Sequence, residues 1–174
     1  TRVPAWAGTS NDRNKRITKV VFDYSFQNYK PIDTSFWFYY CTTLKTIEHM
    51  DFLNTANVTN MRYMFKECLQ LTSLDVSKFN TANVTDMTCM FMDCTGLTSL
   101  DVTKFNTEKV TKMCSMFNSC LKLTSLDVSK FNTSKVGDMS FMFSGCFALT
   151  SLDVSKFDTQ NVTNMDRMFM NCEK

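Results

Sequence analysis

A single histidine stands among 174 residues, and no two cysteines are spaced Cys-x-x-Cys. Structural zinc sites draw on such paired ligands, so no metal or cofactor is expected. Charge of one sign is equally scarce. Nineteen Lys and Arg against seventeen Asp and Glu leave +2, and no run of like charge occurs. Nucleic-acid binding needs a basic stripe, so that class is set aside. No window approaches the ~20 apolar residues of a membrane span. The opening "TRVPAWAGTSNDRNKR" lacks the apolar centre of a secretory signal. The chain is expected to be soluble without membrane insertion, either cytoplasmic or with a signal removed ahead of this numbering.

What is present is repetition, set in a composition of 44% apolar and 13% aromatic residues that is enough for the core of one domain. "LTSLDVSKFNT" at 71-81 returns unchanged at 123 and with one change each at 97 and 149, in steps of 26 residues. Two diverged units precede it, so six are expected: 17-43, 44-70, 71-96, 97-122, 123-148 and 149-174, behind a cap over 1-16. A period of this size signals a solenoid, because one unit cannot bury its apolar face without its neighbours.

Nine positions are apolar or Cys in each regular unit: Leu71, Leu74, Val76, Phe79, Val84, Met87, Met90, Phe91 and Cys94 in the first. Leu74 and Val76 alternate with Ser73 and Asp75, which predicts a short strand. Met87, Met90, Phe91 and Cys94 stand at i, i+3, i+4 and i+7, which predicts a short helix, with Asn83, Thr85 and Asp86 as its N-terminal cap. Asn80, Asn106, Asn132 and Asp158 fit a turn whose side chain bonds nearby backbone. Strands sit ~4.8 Å apart and helices ~8–10 Å. The expected fold is therefore an α/β solenoid, a right-handed leucine-rich-repeat-like arc with parallel strands on the concave side and helices on the convex side. The end of the array has no polar cap, so a longer natural chain or self-association through the open C-terminal coil is expected.

The repeat "MFxxCxxLTSLDVSxFNTxxVTxM", led by "VPAW" and "ITKVVFD", resembles the BspA-like leucine-rich repeat proteins, the bacterial surface protein 26-residue repeat family. That resemblance implies a secreted or surface-displayed bacterial adhesin whose partners are host extracellular-matrix proteins, other surface macromolecules or a glycan.

The candidate binding columns lie on the expected concave face. They are Thr72, Thr98, Thr124 and Thr150; Ser73, Ser99, Ser125 and Ser151; Asp75, Asp101, Asp127 and Asp153; and Lys78, Lys104, Lys130 and Lys156. Of the sixteen, the aspartates would repel one another at ~5 Å spacing, with the lysine column offsetting them. A solvated, self-neutralising surface is the plainer reading of all four columns, and a structural spacer with function in other domains is the alternative to adhesion. Four Asn-x-Ser/Thr sequons, at Asn57, Asn83, Asn132 and Asn161, are by-products of the repeat.

Cys41, Cys68, Cys94, Cys120, Cys146 and Cys172 share one repeat position, which predicts a column of reduced core thiols. Cys89 and Cys114 lie off it, as the more exposed and reactive pair, with helix spacing holding them beyond disulfide reach. Ten of the thirteen methionines are repeat positions and read as packing. His49, the one imidazole, stands at a one-residue insertion without an implied nucleophile, so no catalytic residue is expected. Leu121, Phe147, Phe141, Met92 and Met170 break the polar pattern and would mark a partner surface if contiguous.

Overall fold

The computed structural model describes residues 3–172; residues 1 and 2 of the expected cap and 173 and 174 of the expected last unit lie outside it. The chain winds as stacked coils. Isolated parallel bridges step from Asp33 to Asn60, Asp86, Lys112, Asp138 and Asn164. All nine apolar positions of the first regular unit are buried, none more than 8% exposed. The rings of Phe65, Phe91, Phe117, Phe143 and Phe169 stack at centroid spacings of 5.6–5.8 Å.

Two expectations are corrected. Among the described residues there is no α-helix; the helical segments are two 3-10 turns, Tyr24–Gln27 and Met50–Phe52. The Met–Phe segment instead alternates between two kinds of hydrogen bond. Met87, Cys89, Phe91 and Asp93 donate their N–H groups to Lys112, Cys114, Met116 and Asn118 in the next coil, while Met90, Met92 and Cys94 donate to the carbonyl three residues back. Cys89 and Asp93 have φ of 54° and 58°. The same two positions are left-handed in every coil: Phe36 and Tyr40, Tyr63 and Glu67, Ser115 and Ser119, Phe141 and Gly145, Arg167 and Asn171. Each non-glycine residue held so costs roughly 1–2 kcal/mol. The cost is offset because the next coil offers a row of carbonyls that a helix would turn away, and a buried N–H without an acceptor costs a comparable amount.

The strand expectation also fails in the regular units. The strands are β1 (Lys19–Val21) and β2 (Thr46–Glu48), paired in parallel. The "LTSLDV" stretches are extended, but coil-to-coil backbone bonds there are limited to Thr98 and Thr124, which donate to Thr72 and Thr98 at 3.3 Å. Without α-helices among the described residues to space the coils, the expected division into a concave strand side and a convex helix side is not set by helix packing.

Side chains bridge the coils where the ladder stops. Thr55, Thr81, Thr107 and Thr133 are at most 2% exposed. The Thr107 hydroxyl donates to the Asn132 carbonyl at 2.9 Å and accepts the Asn132 N–H at 2.7 Å, and the other three do the same. At the N-terminal end the Trp6 indole N–H and the Gly8 N–H donate to the Trp37 and Tyr39 carbonyls. A Cβ on Gly8 would lie 2.7 Å from the Tyr40 carbonyl oxygen, so glycine is required there. At the other end Met165, Phe169 and Met170 are 41–49% exposed. Among the described residues the N–H groups of Met165, Arg167, Phe169 and Asn171 have no acceptor.

Replacing Thr107 by Val strands two backbone groups, and urea unfolding is expected to show a loss of about 1–3 kcal/mol. Thr98→Val, at an exposed position, is expected to stay within about 0.5 kcal/mol.

Candidate functional site

All sixteen candidate side chains are exposed, but they are not equally free. Asp75, Asp101, Asp127 and Asp153 each accept, through Oδ1, the N–H two residues on, at 2.9 Å, which closes the turn leaving "LTSLDV". Bonding to Ser77 backbone and then side chain holds Asp75 below the usual carboxylate range, and Lys78 adds to it. In Asp101, Asp127 and Asp153 the hydroxyls of Thr103, Ser129 and Ser155 come first, followed by the same backbone bond. The mutual repulsion expected for this column is present between Asp101 and its neighbours Asp75 and Asp127, but it ranks last among the influences on both. The Thr98 and Thr124 hydroxyls bond the preceding coil's carbonyl at 3.3 Å. The aspartate column thus closes turns, and Thr98 and Thr124 add a weak tie between coils. The serine column Ser73, Ser99, Ser125 and Ser151 and the lysine column Lys78, Lys104, Lys130 and Lys156 make no hydrogen bond and no ion pair among the described residues.

The cysteine column is buried from Cys41 to Cys146, and Cys172 is half-buried. It also carries a bond that the pattern did not suggest. Each thiol from Cys68 to Cys172 donates to a phenylalanine carbonyl one coil earlier, at 3.2–3.3 Å. That carbonyl also accepts the N–H three residues on, using both lone pairs. Burial raises the Cys68, Cys94 and Cys120 thiols well above their ordinary range, so the donating proton stays in place. The expectation for Cys89 and Cys114 is corrected. The Cys89 N–H donates to the Cys114 carbonyl at 2.9 Å, which sets the two residues in adjacent coils rather than at helix spacing. Cys89 is buried, and desolvation pushes its thiol to about 11, which makes it unreactive.

Sequence reasoning missed a charged aromatic cluster. Lys66 Nζ lies 5.4 Å from the Tyr40 ring and 6.0 Å from those of Tyr39 and Tyr63, while Arg13 pairs with Glu67 at 2.9 Å. Burial pushes Asp93 up, against the pull of Lys66. The signal was the run Phe36 to Tyr40, one repeat ahead of Tyr63. His49 caps a 3-10 turn at φ 55° and stacks on Phe52. Among the described residues no three His, Cys, Asp or Glu side chains converge as a metal site would require. Leu121 and Phe147 hold one position in successive coils, whereas Met92 and Met170 stand three repeats apart, so the five interrupting apolar residues form no single patch.

Iodoacetamide at about pH 8 is expected to label Cys114 and Cys172 in the native chain, and the other six cysteines only after unfolding, by mass spectrometry. Because the four turn aspartates titrate below their unfolded value near 3.9, their stabilisation is complete above that pH and is lost as pH falls through the folded values. Replacing Asp101 and Asp127 by Asn, which keeps the Oδ1 acceptor, is expected to flatten the acid limb of a thermal-melt series below about pH 4.

The family model described as "Mycoplasma protein of unknown function, DUF285" matches residues 22–100 and 93–174. No curated protein matches the chain. A leucine-rich repeat protein from Eubacterium ventriosum superposes on 90% of this chain and 43% of its own, at TM-score 0.56 and 16% identity. A leucine rich cell surface protein from Faecalibacterium prausnitzii covers 77% of this chain and 42% of its own, at TM-score 0.38 and 23% identity. The chain therefore spans less than half the length of either. The first likeness supports a leucine-rich repeat fold, and with the family model matching most of its length the chain belongs to the DUF285 family.

Proposed function

We propose that this chain is a non-catalytic interaction module of a secreted or surface-displayed bacterial protein, binding an extended macromolecule of the host matrix or of another microbial surface. The observation that carries the reading is the pair of columns left over by folding. Four serines and four lysines are exposed at the same place in successive coils and make no hydrogen bond among the described residues. Neighbouring coils are tied by backbone ladders and stacked rings, so the columns keep a constant rise. A ligand with a repeat of its own would meet the same contact several times, and such contacts gain avidity without any one being strong. A cation column favours an acidic partner and makes association depend on salt.

The test is saturation binding of the 174-residue chain to immobilised fibronectin, fibrinogen, mucin and acidic glycans, at two ionic strengths. Reversing Lys78, Lys104, Lys130 and Lys156 to Glu leaves the turn caps intact and is expected to weaken binding about tenfold or more. Uniform silence of the unaltered chain across these ligands would favour the spacer reading instead.

A further inference from the structure

The first unit departs from the repeat, and where it departs it leaves a cavity of about 580 Å³. Here "FDYSFQNY" folds as the 3-10 turn Tyr24–Gln27, closed by the Asp23 side chain accepting the Ser25 N–H at 3.0 Å. The cavity is walled by Trp6, Phe22, Phe26, Tyr29, Trp37 and Phe38. Those rings brace one another: Trp6 stands edge-on to Trp37 at 6.2 Å, Phe22 edge-on to Phe26 at 5.0 Å, and Tyr29 stacks on Trp37 at 6.5 Å.

The cavity opens to solvent beside Trp6, Val21 and Tyr29, each about half exposed, and has room for roughly twenty waters at about 30 Å³ each. A further coil does not explain it, since two carbonyls that such a coil would bond, those of Trp37 and Tyr39, are already taken by Trp6 and Gly8. Trp6 is pinned from behind as well, because Asn14 Nδ2 donates to its carbonyl at 2.7 Å.

The lining also decides what fits. Among the described residues no carboxylate, ammonium, guanidinium or imidazole lines the cavity, so a charged ligand would be desolvated without a partner. The Trp6 N–H is used, and the Ser25 hydroxyl is bonded to Asp23, which leaves the Tyr29 hydroxyl as the polar group available at the rim. We propose that the cavity between the N-terminal segment and the first coil is a binding site for a small, uncharged, predominantly apolar molecule. Its volume is that of ordinary small-molecule sites, about 300–1,000 Å³.

Both tryptophans of the chain line the cavity, so intrinsic fluorescence reports on it directly. N-phenyl-1-naphthylamine, an uncharged apolar fluorophore, is titrated into the full 174-residue chain. The expected result is one saturable site with energy transfer from tryptophan, and about tenfold or more weaker binding of the sulfonated, anionic analogue. Val20→Phe and, separately, Ile17→Phe add bulk to the cavity lining and are expected to reduce binding about tenfold or more while the melting temperature holds; either variant suffices if the other fails to fold. No transfer up to the solubility limit of the probe, equal affinity for both probes, or unchanged binding in a folded, filled variant overturns the proposal.

Discussion

The structure depends on one arrangement of backbone hydrogen bonds. In the Met–Phe–Cys segment, alternate N–H groups leave their own coil and bond the carbonyls of the next, which two left-handed residues per coil make geometrically available. Left-handed Tyr63, Glu67, Cys89 or Phe141 is unfavourable alone, and becomes tolerable because the neighbouring coil completes the row. Each coil therefore depends on its neighbours for its local conformation as well as for burial of its apolar face, which is the nearest-neighbour coupling that defines repeat proteins.

Several of the repeated polar residues serve the same end. The buried Thr81 and Thr107 hydroxyls stand in for missing backbone partners, the Cys94 thiol finds the second lone pair of a Phe65 carbonyl, and Asp101 closes a turn. Identical polar columns are thus a folding device before they are a recognition surface. What remains after this accounting is smaller and sharper: a serine column and a lysine column on the regular coils, and an aromatic cavity in the irregular first one. The two lie in different parts of the chain and differ in chemistry, one polar and cationic, the other aromatic and uncharged.

Much of the core was legible. Met87, Met90, Phe91 and Cys94 are inward-facing as their spacing indicated, and Asn80, Asn106, Asn132 and Asp158 bond the backbone two residues on as a turn requires. The helix was misread because the spacing i, i+3, i+4, i+7 is shared by a helix and by two successive four-residue turns. Leu74 and Val76 alternate like a strand and are extended, but the coil-to-coil bonds that define a sheet run elsewhere. The cavity leaves no mark in the repeat pattern because its aromatics, from Trp6 to Phe38, are spread over the stretch where the repeat is faintest.

By itself, the order of residues determined the period, the burial of one stripe per unit and the absence of any concentrated charge, since each is a matter of which side chains recur and how far apart. Only the tertiary structure decided where each N–H donates, which threonines are buried, that Cys89 lies beside Cys114, and that six aromatic rings gather around one cavity. The reason is physical. Those outcomes depend on the coil 26 residues away, whose carbonyls and rings supply half of every interaction, and no local pattern specifies what a neighbour in space will offer.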